Sequence, residues 1–424
     1  MTQAILRLNA RTFASLRSSR NYRYFFLGQV VSQTGTWMQR IAQGWFVLQL
    51  THSPVAVGVL ALAQFLPFTL LGLFAGVIVD RLDARRTVIA TQAAQMVLAA
   101  GLAAIALAGI ARPWHVYLIA GLNGALLVLD APSRQALTYR MVGGHELPNA
   151  VALNSSLFNA ARIFGPAVGG IVIAAVGIGW CFAINAASFV AVLAGLFLMR
   201  PAEFFPLERK ERPSILRGTR EGLAYVRANR SMMIVLGLTV ILSTFCFNFN
   251  VLLPVLAKRT LDAGPQTLGL LSALFGGGAL IGALLAASLN RASLKWMLVG
   301  AILFTSAELL LAPERSVAAA GVLLFVTGIG FTIWTSNSNT TLQLGAPDHL
   351  RGRVVGLYFY AFNGTGPLGG LLAGWLSARG GTELAFVVAG IAGVAATALA
   401  AFRLRVPRPP RRRLQTAAES ARAA

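Results

Sequence analysis

Twelve apolar stretches divide this chain, and each is long enough to cross roughly 30 Å of hydrocarbon as a helix. Hydrophobic residues make up 56% of the sequence and charged residues only 12%. This composition suits lipid, where backbone polar groups must pair within helices or closed barrels. We therefore predict an all-α membrane protein. The predicted spans are residues 22–49, 55–79, 87–110, 115–135, 149–176, 180–199, 232–256, 267–289, 295–312, 316–339, 353–377 and 384–403.

Basic residues lie almost entirely on one side of this arrangement. With the N-terminus placed in the cytoplasm, 29 of the 36 Lys and Arg fall on the cytoplasmic side and 5 on the other. The positive-inside rule produces such a split. It predicts a multi-pass protein of the cell inner membrane with both termini cytoplasmic. The net charge of +22 is dispersed beside helix ends, where anionic lipid attracts it, so we expect no nucleic-acid partner.

The chain divides into two halves that resemble each other. Phe-Asn followed by Gly-Pro-x-x-Gly-Gly occurs at residues 158–170, and Phe-Asn followed by the similar Gly-Pro-x-Gly-Gly occurs at residues 362–370. Matching helix-breaking sites in two halves predict a transporter built from repeats, with its binding site between them. The predicted parts are a cytoplasmic N-terminus (1–21), an N-terminal six-helix bundle (22–199), a linker with an amphipathic helix (200–231), a C-terminal six-helix bundle (232–403) and a basic disordered tail (404–424).

Metal, cofactor and nucleotide chemistry find no support in the sequence. Both cysteines lie inside apolar spans, and the four histidines lie in or beside loops of different regions. No G-x-x-x-x-G-K-[ST] loop occurs. We therefore predict no metal, no cofactor and no direct use of ATP. An integral-membrane enzyme would usually show paired acids or a histidine cluster at a cavity, and we predict that the chain is not an enzyme.

Two motifs resemble those of the major facilitator superfamily. Residues 76–86 read GVIVDRLDARR, similar to the loop motif G-x-x-x-D-R-x-G-R-R after helix 2, with Asp83 at the second glycine and Ala84 at the following arginine. Residues 161–170 read ARIFGPAVGG, similar to the G-x-x-x-G-P-x-x-G-G motif on helix 5 of exporting antiporters, with Ala161 at the first glycine. The similarity extends to residues 21–33, 37–40, 130–135 and 350–354.

The resemblance covers about residues 15–405 and implies the major facilitator fold, two pseudo-symmetric bundles of six helices. It points to the twelve-helix branch that contains the enterobactin exporter and related drug:proton antiporters. It also implies that helices 1, 4, 7 and 10 line a central cavity.

Charges around the loop after the second span can form a gate. Asp80 can meet the N-terminus of the eleventh span, whose partial positive charge stabilises a carboxylate. The loop arginines are within reach of Asp83 and Asp130, and such a cluster can close in one state and break in the other. Topogenic charge is the simpler alternative for the arginines. The predicted gate or latch residues are Gly76, Asp80, Arg81, Asp83, Arg85, Arg86, Asp130 and Arg134.

Small residues on the fifth span predict close helix packing. Gly165, Gly169 and Gly170 let a neighbouring backbone approach, and Pro166 removes one backbone donor and kinks the helix. Close packing here can seal the cavity against leak, or it can be ordinary packing between membrane helices.

Two arginines inside predicted spans point to a cavity. A charge at membrane depth costs at least ~2.5 kcal/mol, so Arg40 and Arg162 each require a cavity or a partner; a structural anchor between helices is the alternative. Aromatic rings with uncharged polar groups in the second half suit an amphipathic organic ligand, although we expect half of them only to pair helices. The predicted cavity residues are Gln33, Trp37, Arg40, Arg162, Asn248, Trp334, Asn337 and Tyr358.

Proton coupling has little direct support in the sequence. Asp130 and Glu308 are the acids within spans. Asp130 suits an ion pair with Arg134, and we expect Glu308, near the outer end of the ninth span, to reach the membrane interface. Coupling to protons is therefore implied by the resemblance alone.

The function predicted from these features is secondary active transport. We expect export of drug-like or siderophore-like organic molecules across the inner membrane by proton-coupled alternating access. The partners are then a small organic substrate, protons and the lipid bilayer, and the chain is monomeric. Uptake or lipid-type flipping by the same fold remains an alternative, as does a membrane sensor that transports nothing.

Overall fold

The computed structural model describes residues 12–206, 215–288 and 293–405, and these form helices with short connections. Most of the basic tail predicted at 404–424 lies outside the described residues, as do residues 1–11. The helices are α1 (Ala14–Ser18), α2 (Arg20–Thr51), α3 (Pro54–Leu71), α4 (Ala75–Asp80), α5 (Ala84–Leu107), α6 (Pro113–Val176), α7 (Ile178–Phe197), α8 (Ile215–Ala228), α9 (Arg230–Phe245), α10 (Phe249–Val255), α11 (Pro265–Ser288), α12 (Leu294–Leu310), α13 (Val317–Gly345), α14 (Asp348–Asn363) and α15 (Gly366–Arg405).

Local sequence explains where these helices begin and break. Pro54 and Pro113 occupy first turns, where proline's missing N–H costs nothing. The 64-residue helix α6 breaks at Gly143, whose φ of 70° suits a residue without a Cβ. Helix α15 breaks in the same way at Gly380 and Gly381, where φ reaches 66° at Gly381. Each broken helix therefore crosses the bundle twice.

The helices are consistent with the twelve predicted spans. Eight helical segments among the described residues are long and apolar enough to cross a membrane. Two of them, Pro113–Val176 and Asp348–Arg405, each cover two predicted spans. The first and ninth predicted spans correspond to α2, which carries many polar residues, and to α12, which has only 17 residues.

Two glycine-lined contacts, which we call the seams, join the N-terminal and C-terminal halves. One joins α3 to α15, and a Cβ added to Gly58 would lie 2.7 Å from the carbonyl oxygen of Gly370. The other joins the second part of α6 to α11, and a Cβ added to Gly170 would lie 2.6 Å from the carbonyl oxygen of Pro265. The backbones of the two halves therefore touch directly. The seam residues are Pro54, Gly58, Gly370 and Gly374 in one contact and Pro166, Gly170, Pro265 and Gly269 in the other.

One end of the bundle, which we call the basic face, carries Arg140, Arg200 and Arg353, and we call the other end the opposite face. Nearer the basic face than the seams, α6 bonds within its own half, where the Tyr22 hydroxyl donates to the carbonyl oxygen of Ala150 over 2.9 Å. A Cβ added to Gly282 of α11 would likewise meet Ile329 of its own half, 2.6 Å from the carbonyl oxygen. Beyond the seams α6 and α11 therefore pack within their own halves, whereas Thr69 of α3 still bonds across to the C-terminal half.

The linker helix α8 packs against the C-terminal half. The Tyr225 hydroxyl donates to the carbonyl oxygen of Gly345 over 2.9 Å, and Val226 is buried. Glu221 forms an ion pair with Arg353 at the start of the eleventh span. The helix is thus attached to one half of the molecule.

We predict that the basic face lies in the cytoplasm. A cysteine replacing the exposed Gln266 should react with an impermeant thiol reagent in intact spheroplasts, because it lies at the opposite face. A cysteine replacing Gly144, which is exposed at the basic face and has no atom within 4 Å of an added Cβ, should react only after permeabilisation. The native Cys181 and Cys246 are buried, so the wild-type chain serves as background. Labelling at position 144 in sealed spheroplasts would reverse the orientation.

Candidate functional site: a cavity between the halves

One face of α2 points toward the C-terminal half. A Cβ added to Gly44 would lie 3.1 Å from Cγ of Pro254 on α10. Arg40 lies one turn before Gly44, and Gln33 two turns before Arg40, so helical periodicity places all three on this face. Both Gln33 and Arg40 are partly exposed. That Gln33 and Arg40 line a substrate cavity stays a prediction.

Arg40 rests on an aromatic ring. Its Cζ lies 4.5 Å from the centroid of Trp37, whose ring meets that of Phe158 edge-on at 5.4 Å. Within the described part of the chain, Arg40 forms no hydrogen bond or ion pair. A cation–π contact contributes about 0.5–2 kcal/mol, which does not fully offset the cost of a charge at membrane depth. The guanidinium therefore needs water or an anion beside it.

Arg162 reaches from the N-terminal half to rings of the other half. Its Cζ lies 5.6 Å from the Phe275 centroid and 5.7 Å from the Phe331 centroid. Its Nε is buried without a hydrogen-bond partner among the described residues. Arg162 follows Phe158 by one turn of α6, so Arg40, Trp37, Phe158 and Arg162 are neighbours along the contact between α2 and α6.

Aromatic rings of the C-terminal half pack together into what we call the ring cluster; of its eight rings, those of Phe247 and Phe362 are partly exposed and the others are buried. The rings of Phe247 and Phe331 stack at 4.6 Å, and those of Phe304 and Trp334 stack at 5.8 Å. Such rings offer flat apolar surface to a ligand body. The ring cluster consists of Phe247, Phe249, Phe275, Phe304, Phe331, Trp334, Tyr358 and Phe362.

Three predicted cavity residues instead hold the C-terminal half together. Trp334 is fully buried behind the other rings. Asn337 accepts from the Ser293 N–H over 3.1 Å and donates to the carbonyl oxygen of Ile333, so it ties α13 to the start of α12. The Tyr358 hydroxyl donates to the carbonyl oxygen of Thr335 over 3.1 Å. Placing these three on the cavity wall is wrong for this conformation, because all three are buried between helices. Helix packing satisfies the polar groups of Asn337 and Tyr358, whereas the indole N–H of Trp334 has no hydrogen-bond partner among the described residues.

Asn248 lies at a break in the seventh span. Its amide donates to the carbonyl oxygen of Thr244 over 2.7 Å and satisfies an acceptor that the break between α9 and α10 exposes. Asn248 also lines a small cleft between the halves, with Phe65 and Ala61 on the other side. The residue therefore combines a structural bond with a position at the cavity.

A buried polar network fills the N-terminal half near the basic face. Asp130 is fully buried and accepts from the Thr91 hydroxyl over 2.6 Å and from the Gln92 amide over 3.0 Å. It also pairs with Arg134, which donates to Oε1 of Gln29 over 2.7 Å. Sequence reasoning found the two charged members and missed Gln29, Thr91 and Gln92. These three could have been found from the sequence, because they are polar residues inside apolar spans.

The loop arginines do not contact Asp130. Arg85 donates from Nε and Nη2 to the carbonyl oxygen of Leu196 over 3.1 and 2.8 Å. Asp83 caps α5 by accepting from the Arg86 N–H and pairs with Arg140 at 3.1 Å. The predicted contact between these arginines and Asp130 is therefore wrong for this conformation, because the carboxylate oxygens of Asp130 are already bound by Thr91, Gln92 and Arg134.

Asp83 caps the N-terminus of α5 as a carboxylate. Partial burial acts to raise its pKa, but the hydrogen bonds from Arg86 and Arg140, with the charges of both arginines, hold the pKa below its usual value. Asp83 therefore stabilises the fold above its unfolded pKa, and this contribution is lost only as the pH falls through the lowered value.

Asp80 ends α4, and Arg81 follows as its C-cap at the basic face. The latch role of Asp80 and Gly76 remains a prediction.

We expect Asp80→Asn to insert normally but to reduce efflux several-fold, because the substitution removes the anion that the α14 N-terminus would attract. Membrane-fraction immunoblots and dye efflux measure the two quantities. Asp348→Asn, at an exposed carboxylate in the first turn of α14, is the control, and unchanged efflux in Asp80→Asn would remove the latch.

The motif on the fifth span contacts two partners. A Cβ on Gly165 would lie 2.6 Å from Cβ of Trp37, and Gly169 packs on Met38 of the same helix α2. Pro166 and Gly170 belong to the seam with α11. The motif therefore fixes the arginine-bearing helix on one side and closes the opposite face on the other.

Glu308 does not reach the membrane interface, contrary to expectation. It is fully buried on α12, next to the Cys246 thiol, and neither carboxylate oxygen has a hydrogen-bond partner among the described residues. The side chain points into the C-terminal half because α12 packs on α13 and α15. It lies behind the ring cluster and outside the cavity.

Two helical halves that meet at glycine-lined seams with a cleft between them have the architecture of a membrane transporter of the alternating-access type. The comparisons with known proteins agree. The family model for transmembrane secretion effectors matches residues 10–420. The chain therefore belongs to this family of the major facilitator superfamily, as the two motifs predicted, and it is a transporter and not an enzyme.

Relatives of known name cover nearly the whole chain. It is 25% identical over 382 residues to the staphyloferrin A transporter of Staphylococcus aureus, which covers 88% of this chain and 94% of that protein. It is 28% identical over 386 residues to the multidrug efflux pump Tap of Mycobacterium tuberculosis, with 88% and 91% covered. The crystal structure of the nucleoside transporter NupG superposes with a TM-score of 0.73 at 12% identity, over 92% of this chain and 100% of that one. The last similarity confirms the predicted fold.

Proposed function

We propose that this protein exports drug-like or siderophore-like organic molecules across the inner membrane. The supporting observation is that the N-terminal half carries two guanidinium groups without an anionic partner, Arg40 and Arg162, next to the ring cluster of the C-terminal half. In our proposal they border a cavity between the halves that opens to the basic face. If that face is cytoplasmic, the structure is the state in which an exporter loads its cargo. Relatives named for multidrug efflux and for a siderophore support the same direction and cargo.

Inward flow of protons drives this export in our proposal, and a single chain is the working unit. The seams close the opposite face while the cavity loads, and their opening would release cargo outside. This scheme needs no nucleotide, which agrees with the absence of a phosphate-binding loop from the sequence.

Accumulation assays test the proposal. Cells that express the chain should accumulate less of an exported dye or siderophore than cells with empty vector, and an uncoupler that collapses the proton gradient should abolish the difference. Higher accumulation in expressing cells would instead indicate uptake. Equal accumulation of a broad compound panel, despite normal amounts of protein in the membrane, would remove the transport proposal.

A further inference from the structure

Two guanidinium groups border the cavity without an anionic partner. Arg40 contacts only the Trp37 ring among described groups that could neutralise or stabilise it, and Arg162 contacts the rings of Phe275 and Phe331. The buried Nε of Arg162 still has a hydrogen bond to give. Rings stabilise a cation but do not neutralise it, so the space between the halves carries net positive charge.

The two acids at membrane depth lie apart from Arg40 and Arg162. Asp130 is bound by Thr91, Gln92 and Arg134 inside the N-terminal half. Glu308 is buried beside Cys246 inside the C-terminal half. In the described ranges, no ion pair joins an acid to Arg40 or Arg162. Among the described residues no acid balances these arginines, so a bound anion could supply the charge.

We propose that the substrate is an organic anion with a flat aromatic or conjugated body. Its anionic groups bind Arg40 and Arg162, whose planar forks suit carboxylate-like oxygens, and its body lies against Phe247 and Phe362, the partly exposed rings of the ring cluster. This assignment rests on the proposed transport function and narrows its cargo to one charge class. It disfavours lipophilic cations, which would meet two guanidiniums in a space of low dielectric.

Because Arg162 lies where the two halves meet, the binding of an anion to it would have a second effect. Its helix bears the seam residues Pro166 and Gly170, and its guanidinium touches rings on α11 and α13. An anion that draws the guanidinium away from Phe275 and Phe331 removes a contact between the halves. Substrate binding therefore acts directly on the interface that must move.

Two dyes that share a xanthene skeleton but differ in charge test the proposal. Fluorescein is anionic at pH 8, and rhodamine 123 is cationic. Fluorescence anisotropy with the purified full-length chain in maltoside detergent gives both dissociation constants. We expect fluorescein to bind at least about tenfold more tightly than rhodamine 123.

Variants connect this preference to the two arginines. Arg162→Gln and Arg40→Gln should each weaken fluorescein binding about tenfold or more and leave rhodamine 123 binding unchanged or improved, while Arg162→Lys should retain part of the affinity. Arg379→Gln is the matched control, because Arg379 also lies over a tryptophan, at 5.0 Å from Trp375, but is exposed at the opposite face. Melting temperatures close to that of the wild type show that each variant is folded.

Each outcome decides the question. Tighter binding of rhodamine 123, no binding of fluorescein, or fluorescein binding that survives both arginine substitutions would overturn the proposal. Displacement of fluorescein by phosphatidylglycerol but not by phosphatidylcholine would place an anionic lipid in the site and overturn the assignment to a soluble anion. Arginine-dependent binding without transport in proteoliposomes would leave the anion site standing and remove the exporter function.

Discussion

Arg40→Ala is expected to abolish export from a protein that still inserts and folds. The substitution removes the cation on the face of α2 that looks across to α10, together with its contact to Trp37 at 4.5 Å. Arg40→Lys keeps the charge but loses the planar fork that binds two oxygens at once. We therefore expect the lysine variant to raise KM for efflux more than it lowers the maximal flux.

Efflux kinetics in proteoliposomes, with protein amounts normalised, measure both quantities. Arg379→Ala controls for the loss of any arginine that rests on tryptophan. Normal transport by well-folded Arg40→Ala would show that the guanidinium only anchors helices, and a lysine variant with unchanged KM but reduced maximal flux would remove the fork argument.

Gly170→Val is expected to stop transport by a different route. Its added Cβ would lie 2.6 Å from the Pro265 carbonyl oxygen and 3.0 Å from Cα of Gly269. Overpacking of this kind costs about 1–3 kcal/mol, and it acts only when the seam is closed. That cost shifts the equilibrium between the two states roughly 5- to 150-fold toward the one open at the opposite face.

Two measurements follow this shift. Efflux should fall, and a cysteine at the cavity position Gln33 should be labelled faster by an impermeant thiol reagent from outside spheroplasts in the Gly170→Val background. Gly237→Val is the matched control, because Gly237 also lies within a membrane helix and has no atom within 4 Å of an added Cβ. Wild-type efflux by Gly170→Val would show that the seam tolerates separation in every state.

The overall fold could be predicted because lipid imposes it. Apolar length gives the spans, and the repeated Gly-Pro sites predict two similar halves before any coordinates exist. Gly165, Gly169 and Gly170 were expected to pack closely, and they do. The sequence did not reveal that Gly165 faces a helix of its own half while Gly170 faces the other half. Glycine spacing shows where a helix can approach closely, but it does not show which helix does so.

The candidate site was harder to predict, because a polar residue inside a span has two possible uses. Arg40 forms no hydrogen bond or ion pair among the described residues, whereas Asn337 and Tyr358 form hydrogen bonds between helices. The charge of an arginine cannot be satisfied by a single backbone carbonyl, but an amide or a hydroxyl can be. Charged residues at membrane depth were therefore better guides than uncharged ones, and Glu308, buried away from the cavity, is the exception.

The seams have a consequence for how such a protein diversifies. Their contacting atoms are largely backbone carbonyls and α-carbons of glycine, which are the same whatever cargo is carried. Side chains on the cavity walls can therefore be substituted without changing the surfaces at which the two halves move against each other. One hinge can serve many cargoes, so relatives that share a quarter of their residues can share a motion while each accepts a different molecule.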